Sequence, residues 1–270
     1  MNLLFILDPL DTLNIKKDTS YAMMREAASR GHQTWAAQQK NISFIENKVM
    51  VNARQLSILD DRSAWYEVLE SKELAPAEID GIIMRKDPPF DMEYIYSTYL
   101  LESLEQDGCV VFNRPRSIRD FNEKLAITKY PEFIAPTVVT ADHTTIKQFI
   151  DKNNEIILKP LDGMGGSSIF RSRPDDPNLG VIIETLTDFG RRTIMVQKFI
   201  PQIKDGDKRV LLIDGEAVPF SLARIPQGSD HRGNLAAGGR GVAMPLTHRE
   251  REIAHAIGED LSKKGLLLVG

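Results

Sequence analysis

Residues 156–168 read IILKPLDGMGGSS, an apolar run followed directly by a turn that is rich in glycine. The apolar run predicts a buried strand. Closely spaced glycines allow successive backbone N–H groups to converge on an anion, and the serines add hydroxyl donors. The turn is neither a Walker A loop, which needs Gly-Lys-Ser/Thr, nor a dinucleotide fingerprint, because Ile169 and Phe170 predict a strand instead of a helix. By itself this motif fits a phosphate loop and a plain tight hairpin equally well.

Lys159 favours the phosphate interpretation. It stands at the end of the apolar strand, three residues before the glycine turn begins. A half-buried ammonium needs a counter-anion, and a phosphate held by the loop would supply one. The alternative is a lysine that extends from a strand edge into water.

Strand and helix signals alternate along the whole chain, which is typical of an α/β protein. Up to residue 121 the pattern predicts an open domain with a doubly wound parallel sheet. Its predicted strands lie at 3–7, 79–84 and 109–112, and its predicted helices begin near 19 and 91. From residue 122 onward, shorter strands and helices predict a second domain, beginning with a short helix that bears Lys124, a strand at 137–140 and a helix at 142–152. Asp214-Gly215 is a strong signal for a hairpin turn in this second domain.

The composition excludes several classes of protein. The 270 residues are 42% hydrophobic and 27% charged, which is enough apolar material for a sizeable core. A net charge of -4 argues against a nucleic-acid-binding protein. The single Cys109 excludes an internal disulfide, and the five histidines have no metal spacing. Apolar runs of about five residues are too short to span a membrane, and no signal peptide is apparent, so we expect a cytoplasmic protein without membrane partners.

Three further segments of the second half carry candidate binding residues. The strand at 196–199 leads into a turn whose backbone could pair with an adenine edge, although a core strand ending at a proline is an equal alternative. The hairpin that follows carries Arg209 and Arg224, which could converge on a phosphate or a carboxylate, or could be separate surface charges. Residues 226–241 hold five glycines and predict a mobile loop, either a lid over a polyphosphate or a flexible linker.

Taken in order, these segments resemble the ATP-grasp enzymes, and among them the bacterial glutathione synthetases. The resemblance runs from Asp8 to the last residue, and residues 84–91 (MRKDPPFD) separate this family from other ATP-grasp ligases. The remaining strings that carry it are residues 122–125, 157–166, 205–210, 222–228 and 232–239.

The resemblance implies a substrate-binding domain at 1–121 and an ATP-grasp fold of two α+β subdomains at 122–270, with a lid subdomain at about 130–200. The implied reaction joins γ-L-glutamyl-L-cysteine to glycine through an acyl phosphate, with ATP and Mg²⁺ or Mn²⁺ as cofactors. The implied assembly is a homotetramer.

The resemblance also implies a role for each matching residue. The implied phosphate contacts are Lys124, Lys159, Gly163, Gly165, Gly166 and Ser167. The implied adenine pocket is Gln197, Lys198, Phe199 and Ile200, with Asp207 on the ribose. Arg209, Arg224 and Asn234 would surround the reacting groups as catalytic residues. Candidate substrate contacts are Asn14, Lys17, Arg85, Asp87, Arg232, Gly238 and Gly239, and those before residue 122 could equally be capping or surface residues.

In this family the strand that begins at Leu266 leads to an Asp, and the next strand carries a Glu-x-Asn pair that holds magnesium. None of these lies within the 270 residues, so we expect a truncated chain of weak activity whose sequence offers no metal ligands. The alternatives are another ATP-grasp ligase, such as a D-alanine–D-alanine ligase, and a nucleotide-binding protein without catalysis. A hydride-transfer enzyme is disfavoured, because the turn at Asp8–Asp11 contains no glycine.

Overall fold

A computed structural model of the chain describes residues 1–61, 64–227, 235 and 238–270. They form two compact units. One comprises Met1–Asp120 with Ser262–Leu268, and the other comprises Phe121–Leu261 with Val269–Gly270. Among the described residues, no helix combines the length and apolar character needed to cross a bilayer.

The first unit is a seven-stranded sheet with helices. Its elements are β1 (Asn2–Ile6), α1 (Thr19–Ser29), β2 (Gln33–Ala37), β3 (Ile42–Ile45), β4 (Lys48–Ile58), β5 (Tyr66–Leu74), β6 (Gly81–Met84), α2 (Met92–Gln106), β7 (Val110–Phe112) and α3 (Pro115–Asp120). The strand order is β3-β4-β2-β1-β6-β7, with β5 also paired to β4. Strands β2, β1, β6 and β7 are parallel, as the sequence predicts, while β3, β4 and β5 join as antiparallel strands that it did not predict.

Alternation along β1 shows why this sheet is covered on both faces. Leu4 and Ile6 belong to the core cluster that contains Leu101 of α2. Phe5 belongs to the opposite cluster, which contains Met24 of α1. The strand order reverses between β1 and β6, and ligands of doubly wound sheets bind at the carboxyl ends of such a strand pair. The prediction of a doubly wound domain is confirmed.

The second unit contains two antiparallel sheets with helices. Its elements, to the end of the chain, are β8 (Thr137–Thr140), α4 (His143–Asn153), β9 (Ile156–Pro160), β10 (Phe170–Ser172), α5 (Leu179–Thr187), β11 (Ile194–Lys198), β12 (Asp207–Ile213), β13 (Glu216–Ile225), β14 (Arg240–Pro245), α6 (His248–Lys263) and β15 (Leu268–Val269). The sheet orders are β10-β9-β11-β8 and β14-β13-β12-β15. Both sheets pack with helices, as predicted for two α+β subdomains.

Local sequence chemistry accounts for several of these elements. The Asp18 carboxylate accepts a hydrogen bond from the Ser20 amide at 2.7 Å and caps α1. Asp142 caps α4 in the same way through the Thr145 amide, also at 2.7 Å. Between β12 and β13, Asp214 and Gly215 have φ angles of 50° and 81°, as the predicted tight hairpin turn requires.

Candidate active site

The register of the β10-β9-β11-β8 sheet assigns its side chains to two faces. Ile156 and Leu158 of β9 point into the core beneath α4 and α5. Lys159 lies on the opposite face, paired with Met195. Since directly paired residues of antiparallel strands share a face, Gln197, which pairs with Ile157, lies on this second face too. We call it the lysine face.

Lys159 carries a positive charge that the described residues leave without a hydrogen bond or salt bridge. Burial lowers the pKa of its ammonium, and the neighbouring charge of Lys124 lowers it further, against the opposing effect of Glu123. A partly buried ammonium without a counter-ion is energetically unfavourable, and a bound anion would offset this cost. The surroundings of Lys159 therefore fit an anion site better than a lysine extending into water.

Lys124 connects the lysine face to the glycine turn. Its Nζ donates hydrogen bonds to the Gly163 carbonyl and to Glu123 Oε1, the latter at 2.7 Å. Asn122 orients this segment, because its Oδ1 accepts hydrogen bonds from the Lys124 amide at 3.0 Å and the Leu125 amide at 3.1 Å. Lys124 precedes a 3-10 turn at Leu125–Lys129, where the sequence predicted a short helix. The result is a cluster of two lysines against one glycine loop.

The glycine turn joins two antiparallel strands, β9 and β10, as the strand prediction for residues 169–170 required. A Cβ at Gly163 would lie only 2.8 Å from Pro160 Cγ, so this position accepts a side chain only if the proline moves. Gly165 and Gly166 have φ angles of 65° and 86°, which favour glycine. The Ser167 amide donates to the Met164 carbonyl at 3.1 Å, so it is engaged within the loop.

The segment after β11 has one buried and one exposed apolar side chain. Phe199 is 9% exposed and Ile200 is 53% exposed. The Lys198 amide donates to the Pro136 carbonyl, and the Phe199 amide to the Glu155 carbonyl, both at 2.9 Å. Lys198 pairs with Ile156 and thus belongs to the face opposite Lys159, so it can serve this site only through its backbone.

Asp207 and Arg224 form a two-pronged ion pair across β12 and β13. Arg224 Nε donates to Oδ1 at 2.8 Å and Nη2 donates to Oδ2 at 2.6 Å. Arg209, two residues along β12, is exposed, whereas the intervening Lys208 bonds to Glu250 of α6 at 2.8 Å. Alternation therefore places Asp207, Arg209 and Arg224 on the face away from α6. The sequence had assigned Asp207 and Arg224 to different parts of the ligand, and the structure brings them together.

Replacing Asp207 by Asn is expected to destabilise the protein by about 1.5–3 kcal/mol, because the mostly buried Arg224 loses its ionic partner. The matched control is Asp188→Asn, which removes a carboxylate from the Arg191 pair, where both side chains are at least half exposed. That pair is worth less than about 1 kcal/mol. Urea unfolding of both variants provides the comparison, and equal losses would show that the Asp207 pair is no stronger than a surface pair.

Substrate candidates of the first unit lie after β1 and β6. Arg85 donates to the Thr19 hydroxyl at 2.8 Å and to the Ser20 hydroxyl at 3.2 Å, and within the described chain it has no carboxylate partner. Asp87 donates its amide to Asp8 Oδ2 at 3.0 Å. Because neutral hydroxyls hold Arg85, its charge remains available to an anionic ligand.

The other two candidates precede α1. Asn14 Oδ1 accepts a hydrogen bond from the Lys16 amide at 3.3 Å, so Asn14 shapes the turn, and Lys17 is exposed. Asn14 therefore lies in a turn ahead of α1, whose cap is Asp18, and its role as a substrate contact stays a prediction.

A cavity of about 500 Å³ opens beside Asp8 in the first unit. Its polar lining includes Lys86, which pairs with Asp8 at 2.9 Å, together with Gln38, Lys40 and Glu93. Sequence reasoning missed this cavity, although Asp8 and Lys86 each lie two residues after one of the two strands, β1 and β6, between which the sheet order reverses. That position was the available signal.

The remaining sequence candidates lie in or beside the 226–241 loop. Arg232 and Asn234 fall outside the described residues. Gly238 has a φ angle of 93°, and a Cβ added there would meet no described atom within 4 Å; Gly239 lies between it and β14. Within the described residues, no three His, Cys, Asp or Glu side chains are grouped so as to hold a metal ion.

Comparisons with known proteins give consistent matches. Residues 1–119 match the family description "Prokaryotic glutathione synthetase, N-terminal domain", and residues 123–270 match "Prokaryotic glutathione synthetase, ATP-grasp domain". The chain is 55% identical to the glutathione synthetase of Nitrosomonas europaea, with the match covering 100% of this chain and 85% of that protein. It is 50% identical to the glutathione synthetase of Escherichia coli O6:H1, over 98% of this chain and 84% of that protein.

Solved structures of lower identity share the fold. The crystal structure of D-cycloserine synthetase DcsG aligns with a TM-score of 0.63 at 14% identity, covering 99% of this chain and 83% of that one. D-alanyl-alanine synthetase A from Vibrio cholerae aligns with a TM-score of 0.58 at 14% identity, over 99% of this chain and 81% of that one. The ATP-grasp fold predicted from the sequence is confirmed.

Proposed function

The chain belongs to the prokaryotic glutathione synthetase family, and from this premise we propose that it is an ATP-dependent ligase joining γ-glutamylcysteine to glycine, with release of ADP and phosphate. The family resemblance predicted from the sequence is confirmed by matches that together span nearly the whole chain. The observation that carries the proposal is the cluster of Lys124, Lys159 and the glycine loop at Gly163. In this cluster the Lys159 ammonium has no anionic partner among the described residues, so a phosphate can bind it.

In this reaction the carboxylate of γ-glutamylcysteine attacks the γ-phosphate of ATP, and the glycine amine then displaces phosphate from the acyl phosphate. No protein nucleophile is required, because positioning and charge neutralisation dominate phosphoryl transfer. Lys159 and Lys124 neutralise phosphate oxygens, and the loop that Lys124 holds in place closes over them. Arg209 and Arg224 stabilise charge on the reacting groups, while Asp207 orients Arg224 and contacts the ribose.

The adenine is proposed to bind along the backbone of Gln197–Ile200, with exposed Ile200 against the base. In the first unit, Arg85 is the proposed partner of a substrate carboxylate, with Asn14, Lys17 and Asp87 as further contacts. In the 226–241 loop, Asn234 is the proposed further catalytic residue, and Arg232, Gly238 and Gly239 are the proposed further substrate contacts. This assignment rests on the family resemblance and on the free charge of Arg85.

Magnesium or manganese is the proposed companion of ATP, as the family resemblance implies. The described residues do not offer a set of carboxylates that fits such an ion. A cytoplasmic homotetramer without nucleic-acid or membrane partners is likewise proposed from the family resemblance and the acidic composition.

The decisive experiment supplies the protein with ATP, γ-glutamylcysteine and glycine, and follows ADP, phosphate and glutathione. We expect the three products in equal amounts, and none when either substrate is omitted. Product formation with D-alanine alone would instead support a D-alanine ligase, whose fold is represented among the similar structures. Nucleotide binding without any product would support a binding protein without catalysis.

A further inference from the structure

The lysine face carries an arginine that sequence reasoning did not single out. Arg171 of β10 pairs in register with Ile157, which in turn pairs with Gln197 of β11. Directly paired residues share a face, so Arg171 stands in the same row as Gln197 and one row from Lys159. It therefore belongs to the surface proposed to hold the nucleotide.

The guanidinium of Arg171 is fixed from two sides. Its centre lies 3.9 Å from the centroid of the Phe199 ring, a cation–π contact. Its Nε and Nη2 lie 2.9 Å and 2.6 Å from Glu155 Oε1. Burial would raise the pKa of Glu155, but hydrogen bonds from Arg171 and Arg173 outweigh it and hold that pKa below its usual value. The carboxylate is therefore ionised at neutral pH and maintains the ion pair with Arg171.

Glu155 also reaches the proposed adenine segment directly, because its carbonyl accepts the Phe199 amide at 2.9 Å. The carbonyl of Glu155 thus holds the main chain of Phe199, and the carboxylate of Glu155 holds Arg171, which covers the Phe199 ring. Arg171 of β10, Glu155 just before β9 and Phe199 just after β11 together set the course of the chain from Lys198 to Ile200.

We propose that Arg171 is a positioning residue of the nucleotide site, which fixes the Phe199 ring and so holds the adenine-binding backbone in place. This inference rests on the proposed function only in that the bound nucleotide is ATP. A planar guanidinium can both stack on an aromatic ring and bridge a carboxylate, whereas the compact ammonium of lysine can make only the second contact well. The contribution of Arg171 is therefore specific to arginine.

Arg173 provides a matched control. It donates to the same Glu155 oxygen at 2.9 Å, but it is more exposed than Arg171, and the described contacts of the Phe199 ring do not include it. The experiment compares Arg171→Ala, Arg171→Lys and Arg173→Ala with the unmodified protein. For each, the dissociation constant of ATP is measured by calorimetry, KM for ATP and kcat by ADP release, and folding by thermal unfolding.

We expect Arg171→Ala to weaken ATP binding and to raise its KM about tenfold, with kcat nearly unchanged. Arg171→Lys should recover only part of this loss, and Arg173→Ala should stay within about twofold of the unmodified protein. Equal effects of the two alanine variants would overturn the proposal, since they would show that only charge on Glu155 matters. A loss confined to kcat, or unchanged ATP affinity in a folded Arg171→Ala, would overturn it as well.

The two proposals can fail separately. If the protein binds ATP but forms no glutathione, the proposed reaction is wrong while the affinity series still decides the role of Arg171. If it forms glutathione and Arg171→Ala binds ATP normally, only the positioning role is wrong. If the unmodified protein binds no ATP, both are wrong.

Discussion

Replacing Lys159 by methionine is expected to lower kcat/KM for ATP by about 10²–10³-fold and, at the same time, to raise the free energy of unfolding. The loss of activity follows from removing a preorganised cation at a group that carries developing charge in the transition state. The gain in stability follows because the ammonium is held partly buried, without a partner among the described residues. Steady-state kinetics and urea unfolding measure the two effects on the same samples.

The pH dependence of this stability gain has a defined sign. Burial and Lys124 lower the pKa of Lys159 in the folded state, so in the window between that lowered value and the ordinary value the unfolded chain binds more protons. Stability of the unmodified protein therefore rises with pH through this window. The advantage of Lys159→Met should be largest below the window and shrink as the pH enters it.

Lys147→Met is the control for this prediction. Lys147 is an exposed lysine of α4, on the helix that covers the other side of the same sheet. The same change in charge and side chain there should leave kcat/KM unchanged and should not raise the free energy of unfolding as Lys159→Met does. If Lys159→Met instead lost stability, Lys159 would be making a favourable contact in the folded protein and the anion-site interpretation would be wrong.

The sequence predicted best those elements that are specified by their own residues. The capping carboxylates at Asp18 and Asp142 mark the starts of α1 and α4, and the predicted strand at 137–140 coincides with β8. The hairpin turn at Asp214 was predicted from two residues that tolerate positive φ angles. These signals are local, so a single sequence contains them in full.

Strands β3 to β5 were missed because their formation depends on partners. Seven consecutive residues of β5, from 67 to 73, are exposed, so the strand shows no alternation between apolar and polar positions. It is a strand because its backbone pairs with β4 over most of its length. The exposed β14 was missed for the same reason, since its structure comes from pairing with β13, and its first two residues fall within the loop predicted at 226–241.

In the candidate site, too, features encoded by neighbouring residues were predicted and features that depend on distant residues were not. Lys159 could be associated with the glycine loop because the two are adjacent in sequence. The contact between Lys124 and Gly163 spans 39 residues, and the Asp207–Arg224 pair spans 17, so composition and spacing could not reveal either. Arg171 and Glu155 were overlooked although one signal was present, because alternation backwards from Lys159 places Glu155 on the lysine face.

Replacing Gly258 by alanine is expected to destabilise the protein by about 3 kcal/mol or more. Gly258 lies inside α6, and a Cβ there would be 2.1 Å from the Gly215 carbonyl oxygen and 3.0 Å from its carbon. Both atoms belong to the backbone of the β12–β13 turn, so no side-chain rotation can relieve the overlap. Either the helix or the hairpin must move, and overpacking of this kind outweighs the gain of about 1 kcal/mol that alanine brings to a helix interior.

Gly180→Ala separates these two effects, because it makes the same substitution in α5 at a position with no atom within 4 Å of the added Cβ. There only the helix preference acts, and stability should stay the same or rise by up to about 1 kcal/mol. Urea unfolding of the two variants at equal protein concentration tests the pair. If Gly258→Ala were as stable as Gly180→Ala, the close approach of α6 to the Gly215 turn would be absent in solution. If instead the predicted loss occurs, the contact fixes the hairpin whose first strand carries Asp207 and Arg209, and a packing residue distant in sequence then supports the placement of both side chains.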